Sequence, residues 1–461
     1  MLYFILKLIF KIALRVFFRQ IEVRNKNLIP ANGPLLVASN HPNTFMDPIA
    51  IAAIMKQEVF FIAKGTVFNT PLKRWLLQQM NLIPVYRRED GAVPEASNNN
   101  TFRKCITHLH QSGTLLIFPE GNSYNERRLR PLKTGTARMA LAAEAEFDFK
   151  AGVQIVPIGL NYTDPTRFQS NLFINIGEAI PVAHFADIYK QDSFKAAQQL
   201  SVELRSRLEK LVVITATPAD DNLVEQIERI YKTNLAEELG LSKKQADKFV
   251  MTKAIADSIS YFNQHEPERV QVIKEKIDKY NQELEKLGLQ DKYLNVSTKT
   301  PNLVTDSLTT LFYLALGLPL YIWGIITNYL PYIIPSKIAD NLTGEQEFRA
   351  PIMMTAGIFT FSFFYLFMIT SFYLLTTSAL ATFIFACSLP LAGFFALHYT
   401  YRLGLTRGYL KLFTIFYNWQ TFSQVWQQRE DILLSLENAK TIYQQHLAKE
   451  LKPATIKPEN K

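Results

Sequence analysis

The segment NHPNTFMDP, residues 40–48, holds a histidine and an aspartate that could form a catalytic pair. It follows the apolar run PLLVAS and precedes a helical pattern, so a turn between a strand and a helix would bring His41 and Asp47 together. An imidazole is a good base near neutral pH, and a neighbouring carboxylate fixes its tautomer and stabilises the imidazolium that forms. Taken alone, this spacing fits a structural pair better than a catalytic one.

The segment FPEGN, residues 118–122, also comes directly after an apolar run. Glu120 would lie at the end of a strand, and Gly121 would allow a positive φ or a close approach of the backbone. The alternative is an ordinary turn that contains a capping glutamate.

Two groups of cations occupy similar positions. Arg87 and Arg88 end the run VYRR, and Lys133 lies with three arginines in RRLRPLKTG, residues 127–135, just before a helical pattern. Arginine binds phosphate through two N–H groups at once, and a helix N-terminus with nearby cations attracts anions. The alternatives are a solvated arginine pair and a basic loop that faces a membrane.

The elements that must position these groups alternate along residues 34–180. Short apolar runs bounded by turn residues predict buried strands at 34–39, 59–63, 82–86, 114–118, 154–160 and 172–176. Helical patterns lie between them, near 46–56, 70–80, 95–112 and 133–147. We therefore expect an α/β fold, in which a mixed sheet is covered by helices. Such sheets bind ligands at the carboxyl ends of their strands, so one cleft could collect all four groups.

The composition divides the chain into a soluble part and an apolar part. Residues 307–336 and 350–401 contain no Asp, Glu, Lys or Arg, and one bilayer crossing needs about 20 apolar residues. We expect three spans, with four passes as the alternative, at about 307–334, 352–375 and 378–400. The net charge of +9 then favours a membrane surface or phosphorylated substrates over nucleic acid.

The remaining segments complete the expected plan. The segment 1–20 carries basic residues at a spacing of four among Leu, Ile and Phe, which predicts an interfacial amphipathic helix with its cations towards lipid headgroups; the alternative is a helix packed on the core. After this helix we expect a catalytic domain at 21–190, a charged helical insertion at 191–300, a membrane region at 301–405 and a helical tail at 406–461.

Two cysteines and no zinc-like cluster fit a catalytic domain that faces the reducing cytoplasm. Basic residues flank both ends of the apolar part, and the sequence leaves open on which side the C-terminus lies.

Six segments together resemble the PlsC-type glycerolipid acyltransferases, in that family's order and spacing over roughly residues 30–180. They are NHPNTFMD, FIAKGTVF, LIPVYRR, FPEGN, LKTGTARMA and IVPIGLNY. The resemblance implies that His41 is the general base and that Asp47 orients it. It also implies that Arg87 grips the acceptor phosphate, helped by Arg88 or Lys133, and that the block containing Glu120 and Gly121 shapes the acceptor site.

The chain departs from the family pattern at three places. Five residues separate the histidine from the aspartate, where most of the family has four; the HPNxFxD form resembles a subgroup that includes fungal glycerol-3-phosphate and dihydroxyacetone-phosphate acyltransferases, which also carry apolar spans. Gln169 stands where glycerol-3-phosphate enzymes often have an Arg-Ser pair, and Asn122 replaces a usual threonine. The acceptor is therefore left open.

We expect an integral membrane acyltransferase of phospholipid biosynthesis that transfers a fatty acyl chain from acyl-CoA or acyl carrier protein to a hydroxyl of glycerol 3-phosphate. No cofactor, metal or nucleic acid is expected. Lysophosphatidate and dihydroxyacetone phosphate are the alternative acceptors. A non-catalytic lipid-binding membrane protein is the alternative from a different class.

Overall fold

A computed structural model of the chain describes residues 2–85, 95–238, 245–294, 303–416 and 419–450. The chain divides into two units, of which the first comprises Met1–Ile214, Lys244–Phe249 and Ile334–Phe359. The first unit is built on a sheet of eight strands. They are β1 (Gln20–Arg24), β2 (Leu35–Ser39), β3 (Val59–Lys64), β4 (Leu82–Val85), β5 (Thr114–Ile117), β6 (Gln154–Tyr162), β7 (Asn171–Ile176) and β8 (Ile180–Pro181).

The sheet is mixed, as the sequence predicted. Its strand order is β1-β7-β6-β2-β5-β3-β4, and β8 pairs with β6. The run from β6 through β2, β5 and β3 to β4 is parallel, whereas β7 and β8 are antiparallel to β6. The carboxyl ends of β2, β5, β3 and β4 therefore lie at one edge of the sheet, and the segments after β2 and β5 meet there.

The first unit contains seven helices within Leu2–Leu211, and each covers a face or an edge of the sheet region. They are α1 (Leu2–Phe17), α2 (Met46–Ile54), α3 (Pro71–Gln79), α4 (Glu95–His110), α5 (Gly135–Ala145), α6 (Ala186–Gln191) and α7 (Ser193–Leu211).

Two apolar cores lie on opposite sides of the central strand β2, because its successive side chains point to opposite faces. Leu36 and Ala38 belong to a core with α4, α5 and α7. Leu35 and Val37 belong to the other core, with α1, α2 and the start of a later helix. Every residue of β2 is buried, so the position of the loop that follows it is fixed by packing on both faces.

The first unit extends beyond residue 190, where the sequence analysis placed the end of the catalytic domain. Helix α7 buries Leu200, Leu204 and Leu208 in the core beside β2, and the first unit continues to Ile214. The apolar residues of α7 recur at helical spacing on a single face, and charged residues occupy the rest of the helix. The overall composition of the segment therefore did not indicate a helix that packs in the core.

The N-terminal helix also differs from its expected orientation in one respect. The Lys7 ammonium donates to the Met55 carbonyl at 2.9 Å, where it meets the C-terminal end of α2, a position that favours a cation. It therefore does not point outward with the rest of the basic stripe. Leu14 and Phe17 of α1 pack in the core, while Phe4, Leu8 and Ile12 are exposed.

The second unit comprises Thr215–Lys243, Val250–Ile333 and Thr360–Lys461. The remaining helices of the chain are α8 (Pro218–Glu238), α9 (Gln245–His265), α10 (Pro267–Lys286), α11 (Leu303–Leu342), α12 (Gln346–Thr376), α13 (Ala379–Phe416) and α14 (Trp419–Glu450). Three stretches among the described residues are long and apolar enough to cross a membrane, namely Thr309–Leu342, Gln346–Thr376 and Ala379–Leu412. They overlap the three expected spans, and each ends further along the chain than expected.

Candidate active site

The loop after β2 brings the predicted histidine and aspartate into contact. His41 Nδ1 lies 2.8 Å from Asp47 Oδ2. The histidine follows the carboxyl end of β2, and the aspartate lies in the first turn of α2, where the helix dipole favours a negative charge. Because Asp47 holds Nδ1, the other ring nitrogen, Nε2, is the one available to exchange a proton with a ligand.

Asp47 is fully buried and accepts two further hydrogen bonds. The backbone N–H of Asn43 donates to Oδ2 at 2.7 Å, and the hydroxyl of Tyr162 donates to Oδ1 at 2.7 Å. Burial and the neighbouring Asp47 carboxylate raise the pKa of Tyr162 well above its usual value, so this hydroxyl stays a donor. Three donors thus fix the orientation of the carboxylate that faces the imidazole.

Tyr162 was missed by the sequence analysis as a site residue. It lies at the end of β6, more than a hundred residues from Asp47 along the chain, although β6 and β2 are neighbours in the sheet. The segment IVPIGLNY, which contains it, carried the family resemblance without a role for the tyrosine. Only the pairing of β6 with β2 shows that the hydroxyl reaches the catalytic loop.

The segment FPEGN holds His41 from the neighbouring strand β5. The rings of His41 and Phe118 stack with centroids 3.8 Å apart and planes 7° apart. Glu120 accepts the backbone N–H of His41 at 3.1 Å and that of Arg130 at 2.9 Å. The glutamate therefore holds the loop that carries the base, and the role of its block in shaping the acceptor site stays a prediction.

Glu120 is a buried carboxyl, and its burial raises its pKa above the usual value. The two backbone hydrogen bonds and the nearby His41 oppose that shift. Ionising this carboxyl in the folded protein therefore costs free energy, and its two hydrogen bonds offset part of that cost.

Gly121 and Lys133 lie together beside the histidine. Gly121 has a φ of +85°, and a Cβ added there would lie 3.0 Å from the Lys133 ammonium. The backbone of Lys133 is held close to Gly121 as well, since its N–H donates to the Pro119 carbonyl at 2.8 Å. A side chain at position 121 would thus be strained by its φ and would push this lysine aside.

The predicted arginines have different outcomes. Arg87 and Arg88 lie outside the described residues, so their role as phosphate ligands stays a prediction. Arg128 and Arg130 form ion pairs with Glu126 at 3.2 and 2.7 Å. Both arginines therefore bind a carboxylate of their own loop.

Gln169, which the sequence analysis compared with an Arg-Ser pair of glycerol-3-phosphate enzymes, bonds to the end of the N-terminal helix. Its side chain donates to the Val16 carbonyl at 2.7 Å, and its backbone N–H donates to the Phe17 carbonyl at 2.8 Å. It therefore ties the loop before β7 to the end of α1.

A groove with a volume of about 1590 Å³ opens beside His41. This volume exceeds the roughly 300–1,000 Å³ of common ligand pockets. Its walls are largely apolar and come from α1, α2, β3, α3 and the start of α12. Basic residues from several elements also line it, namely Lys7, Lys64, Lys73, Lys133 and Arg138.

The arrangement can take a proton from a hydroxyl group that is placed in the groove next to His41. Among the described residues, no group of three or more His, Cys, Asp or Glu side chains could hold a metal. Burial raises the pKa of the Cys105 thiol to about 12, so that thiol does not supply a nucleophile. Proton transfer by the imidazole is the chemistry that this geometry supports.

The chain is similar to known acyltransferases in sequence. Residues 20–161 match the family model "Acyltransferase". Glycerol-3-phosphate O-acyltransferase 2 of Saccharomyces cerevisiae is 36% identical over 112 residues, which are 24% of this chain and 15% of that protein. Glycerol-3-phosphate O-acyltransferase 1 of the same yeast is 24% identical over 49% of this chain and 41% of its own length.

A chloroplastic 1-acyl-sn-glycerol-3-phosphate acyltransferase of Brassica napus is 27% identical, over 40% of this chain and 49% of that protein. The chain thus spans about half or less of these curated relatives. Among solved structures, the 1-acyl-sn-glycerophosphate acyltransferase PlsC from Thermotoga maritima matches at a TM-score of 0.29 and 20% identity, over 44% of this chain and 80% of that one. That likeness is too weak to carry an inference.

Proposed function

From the premise that residues 20–161 form a domain of the acyltransferase family, we propose that this protein transfers a fatty acyl chain from a thioester donor to a hydroxyl of glycerol 3-phosphate. The single observation that carries the proposal is the His41–Asp47 pair, in contact at 2.8 Å on the wall of a large apolar groove.

His41 is the general base of the proposed reaction. A thioester is already activated, so the enzyme has to make an alcohol nucleophilic and place it against the thioester carbonyl. Nε2 takes the proton as the hydroxyl oxygen attacks, and the imidazolium that forms is stabilised by the buried Asp47 carboxylate. The C–O bond of the ester forms as the C–S bond breaks, and the thiolate leaves and takes up a proton.

The apolar groove is the proposed site for the acyl chain. Transfer of a hydrocarbon chain from water to apolar walls contributes about 0.8 kcal/mol for each buried CH2 group. Phe45, Ile49 and Ala52 of the α2 region line the groove next to His41. They would hold the chain with its thioester close to the base.

The part of the groove lined by Lys133 and the start of α5 is the proposed site for the acceptor phosphate. Lys133 precedes α5, and the N-terminus of that helix lines the same groove through Gly135 and Thr136. The Thr136 hydroxyl is buried and has no hydrogen-bond partner among the described residues. The Lys133 ammonium and the dipole of α5 would attract the charge of the phosphate. Arg87 and Arg88 remain further proposed ligands.

The volume of the groove favours a second candidate acceptor. A lysophosphatidate would bring its own acyl chain into the groove, and about 1590 Å³ is more than one chain of common length requires. Dihydroxyacetone phosphate presents the same phosphate and a similar hydroxyl. The donor is proposed to be acyl-CoA or acyl carrier protein, and the first unit is proposed to face the cytoplasm at the bilayer surface.

The test is a transfer assay of the purified full chain in lipid nanodiscs, with labelled glycerol 3-phosphate, lysophosphatidate and dihydroxyacetone phosphate, each with acyl-CoA and with acyl carrier protein. His41→Ala is expected to lower kcat by about 10²–10⁴-fold, the usual contribution of a general base. His110→Ala is the matched control, because His110 also pairs with a carboxylate, Glu146 at 3.6 Å, away from the groove.

The control should retain the wild-type rate, and both variants should keep the wild-type melting temperature. Absence of transfer to all three acceptors in the wild type would refute the proposed function. A His41→Ala variant with more than about a tenth of the wild-type kcat would refute the base assignment.

A further inference from the structure

The connection between α11 and α12 belongs to the same unit as the catalytic loop, although it lies some 300 residues further along the chain. Thr44 Oγ1, in the middle of that loop, donates to the Glu347 carbonyl at 2.9 Å. Phe348 approaches Phe45 with ring centroids 6.3 Å apart. Ala350 and Met354 are buried in the core with α2. The start of α12 therefore packs on the loop from His41 to Asp47.

Arg349 is the residue that joins this connection to the catalytic domain. Its guanidinium donates to the Thr166 carbonyl at 3.0 Å, to Asp340 at 2.9 Å and to the Ser336 hydroxyl at 3.0 Å. The last two partners lie at the end of α11. One planar side chain thus fixes the end of α11, the start of α12 and the loop after β6 at the same time.

A short series of hydrogen bonds connects Arg349 to the base. The carbonyl of Pro165, next to Thr166, accepts the side-chain amide of Asn43 at 2.8 Å. The backbone N–H of Asn43 in turn holds Asp47 Oδ2 at 2.7 Å, the same oxygen that contacts His41. A shift of the Thr166 carbonyl would therefore move the group that orients the carboxylate.

The loop needs such support, because its own backbone is strained. Thr44 has a φ of +29°, which is rare for a β-branched residue and costs on the order of 1–3 kcal/mol. Its N–H donates to the Ser123 hydroxyl at 3.1 Å, and its own hydroxyl reaches Glu347. Contacts from two directions hold the conformation.

We propose that Arg349 is a positioning residue, which keeps the loop from His41 to Asp47 in its catalytic geometry from the connection of the two apolar helices. The proposal rests on the proposed function for its kinetic consequence. Its structural consequence, protection of the loop, does not depend on any substrate. The segment 334–359 is then part of the catalytic apparatus as well as part of the apolar region.

The test compares Arg349→Ala and Arg349→Lys with Arg207→Ala. Arg207 is a matched control, since it is 33% exposed against 32% for Arg349 and also bonds carboxylates, those of Glu178 and Glu203. Deuterium exchange of the peptide 40–48 is measured for each full chain in nanodiscs. We expect Arg349→Ala to speed exchange at the Asn43 and Thr44 amides by at least about threefold, because a bonded amide exchanges only when its site opens.

The kinetic arm measures kcat and KM for the acceptor. Arg349→Ala should lower kcat by about 10- to 100-fold with a KM within about twofold of wild type, since a small misplacement of the base costs that much. Arg349→Lys should lie between wild type and the alanine variant, because an ammonium cannot reach three partners in one plane.

Wild-type exchange in the 40–48 peptide of both Arg349 variants would overturn the proposal. If Arg349→Ala does not fold, Thr44→Val gives the second test, because it removes only the bond to Glu347; unchanged exchange and kcat in that variant would also overturn it. A wild type that transfers no acyl chain while the exchange pattern is as expected would sink the proposed function and leave the positioning role standing.

Discussion

Tyr162 provides the most direct test of how Asp47 is held. Tyr162→Phe removes one hydroxyl and keeps the ring, which contacts Phe18 with centroids 5.7 Å apart. The lost hydrogen bond to Asp47 Oδ1 is 2.7 Å long and ends on a buried carboxylate. Asn43 and His41 keep their contacts with Oδ2, so the carboxylate loses one of three restraints and the base keeps its partner.

The expected loss can be estimated from these contacts. A hydrogen bond to a charged group contributes about 1.5–3 kcal/mol, and about 1.4 kcal/mol corresponds to a factor of ten in rate. Because two donors remain on Asp47, we take the lower end and expect kcat to fall by about tenfold. The KM for the acceptor should stay within about twofold, since Tyr162 acts through Asp47 and not on the ligand.

The assay is the transfer reaction at saturating donor, at pH 6.5 and at pH 9. Burial keeps the pKa of Tyr162 well above its usual value, so the hydroxyl is protonated at both pH values and the same loss is expected at each. Tyr189→Phe on α6 is the control, because Tyr189 packs on Phe149 outside the site. A Tyr162→Phe variant with wild-type kcat, or an equal loss in Tyr189→Phe, would refute the reasoning.

Two further predictions concern a buried carboxyl and a buried amide. Burial raises the pKa of Glu120, so the folded protein binds the Glu120 proton more readily than the unfolded chain does. Relative to Glu120→Gln, the wild type should therefore gain thermal stability as the pH falls from 7 to 5. An opposite trend in the melting temperatures would contradict the burial argument. In the second unit, Asn328 of α11 donates to the Leu389 carbonyl of α13 at 3.1 Å and accepts the Tyr365 hydroxyl of α12 at 2.6 Å. Asn328→Leu should lower the free energy of unfolding in detergent by about 1 kcal/mol, more than Tyr365→Phe does, and equal losses would show that the bond to Leu389 contributes little.

The strands could be predicted from the sequence because they are buried on both faces. A parallel strand such as β2 reads as a continuous apolar run between turn residues, and that signal is local. The same locality explains why His41, Asp47 and Glu120 were found, since each comes within a few residues of such a run. The sheet order then follows from short parallel crossovers, and the strand ends meet at one edge.

Contacts between distant segments could not be predicted in the same way. Tyr162 bonds to Asp47 across 115 residues of chain. Arg349 bonds across 183 residues to Thr166, whose loop contacts the catalytic loop. No periodic pattern in the sequence records such pairings. β1 was missed because QIEVR is half exposed and alternates charged with apolar residues. Helix α7 was assigned to the insertion because its charged face outweighs its apolar stripe when composition alone is compared.

The strained backbone of Thr44 connects the catalytic loop with the apolar region that follows it. The interval from His41 to Asp47 closes as a turn in which the Met46 N–H donates to the Asn43 carbonyl at 2.8 Å. That turn requires the positive φ of Thr44, a conformation that persists only where surrounding contacts fix it. One of those contacts is the Glu347 carbonyl, which comes from the apolar region that follows the family domain. The loop therefore takes part of its support from a segment that lies outside residues 20–161, the part of the chain that matches the acyltransferase model.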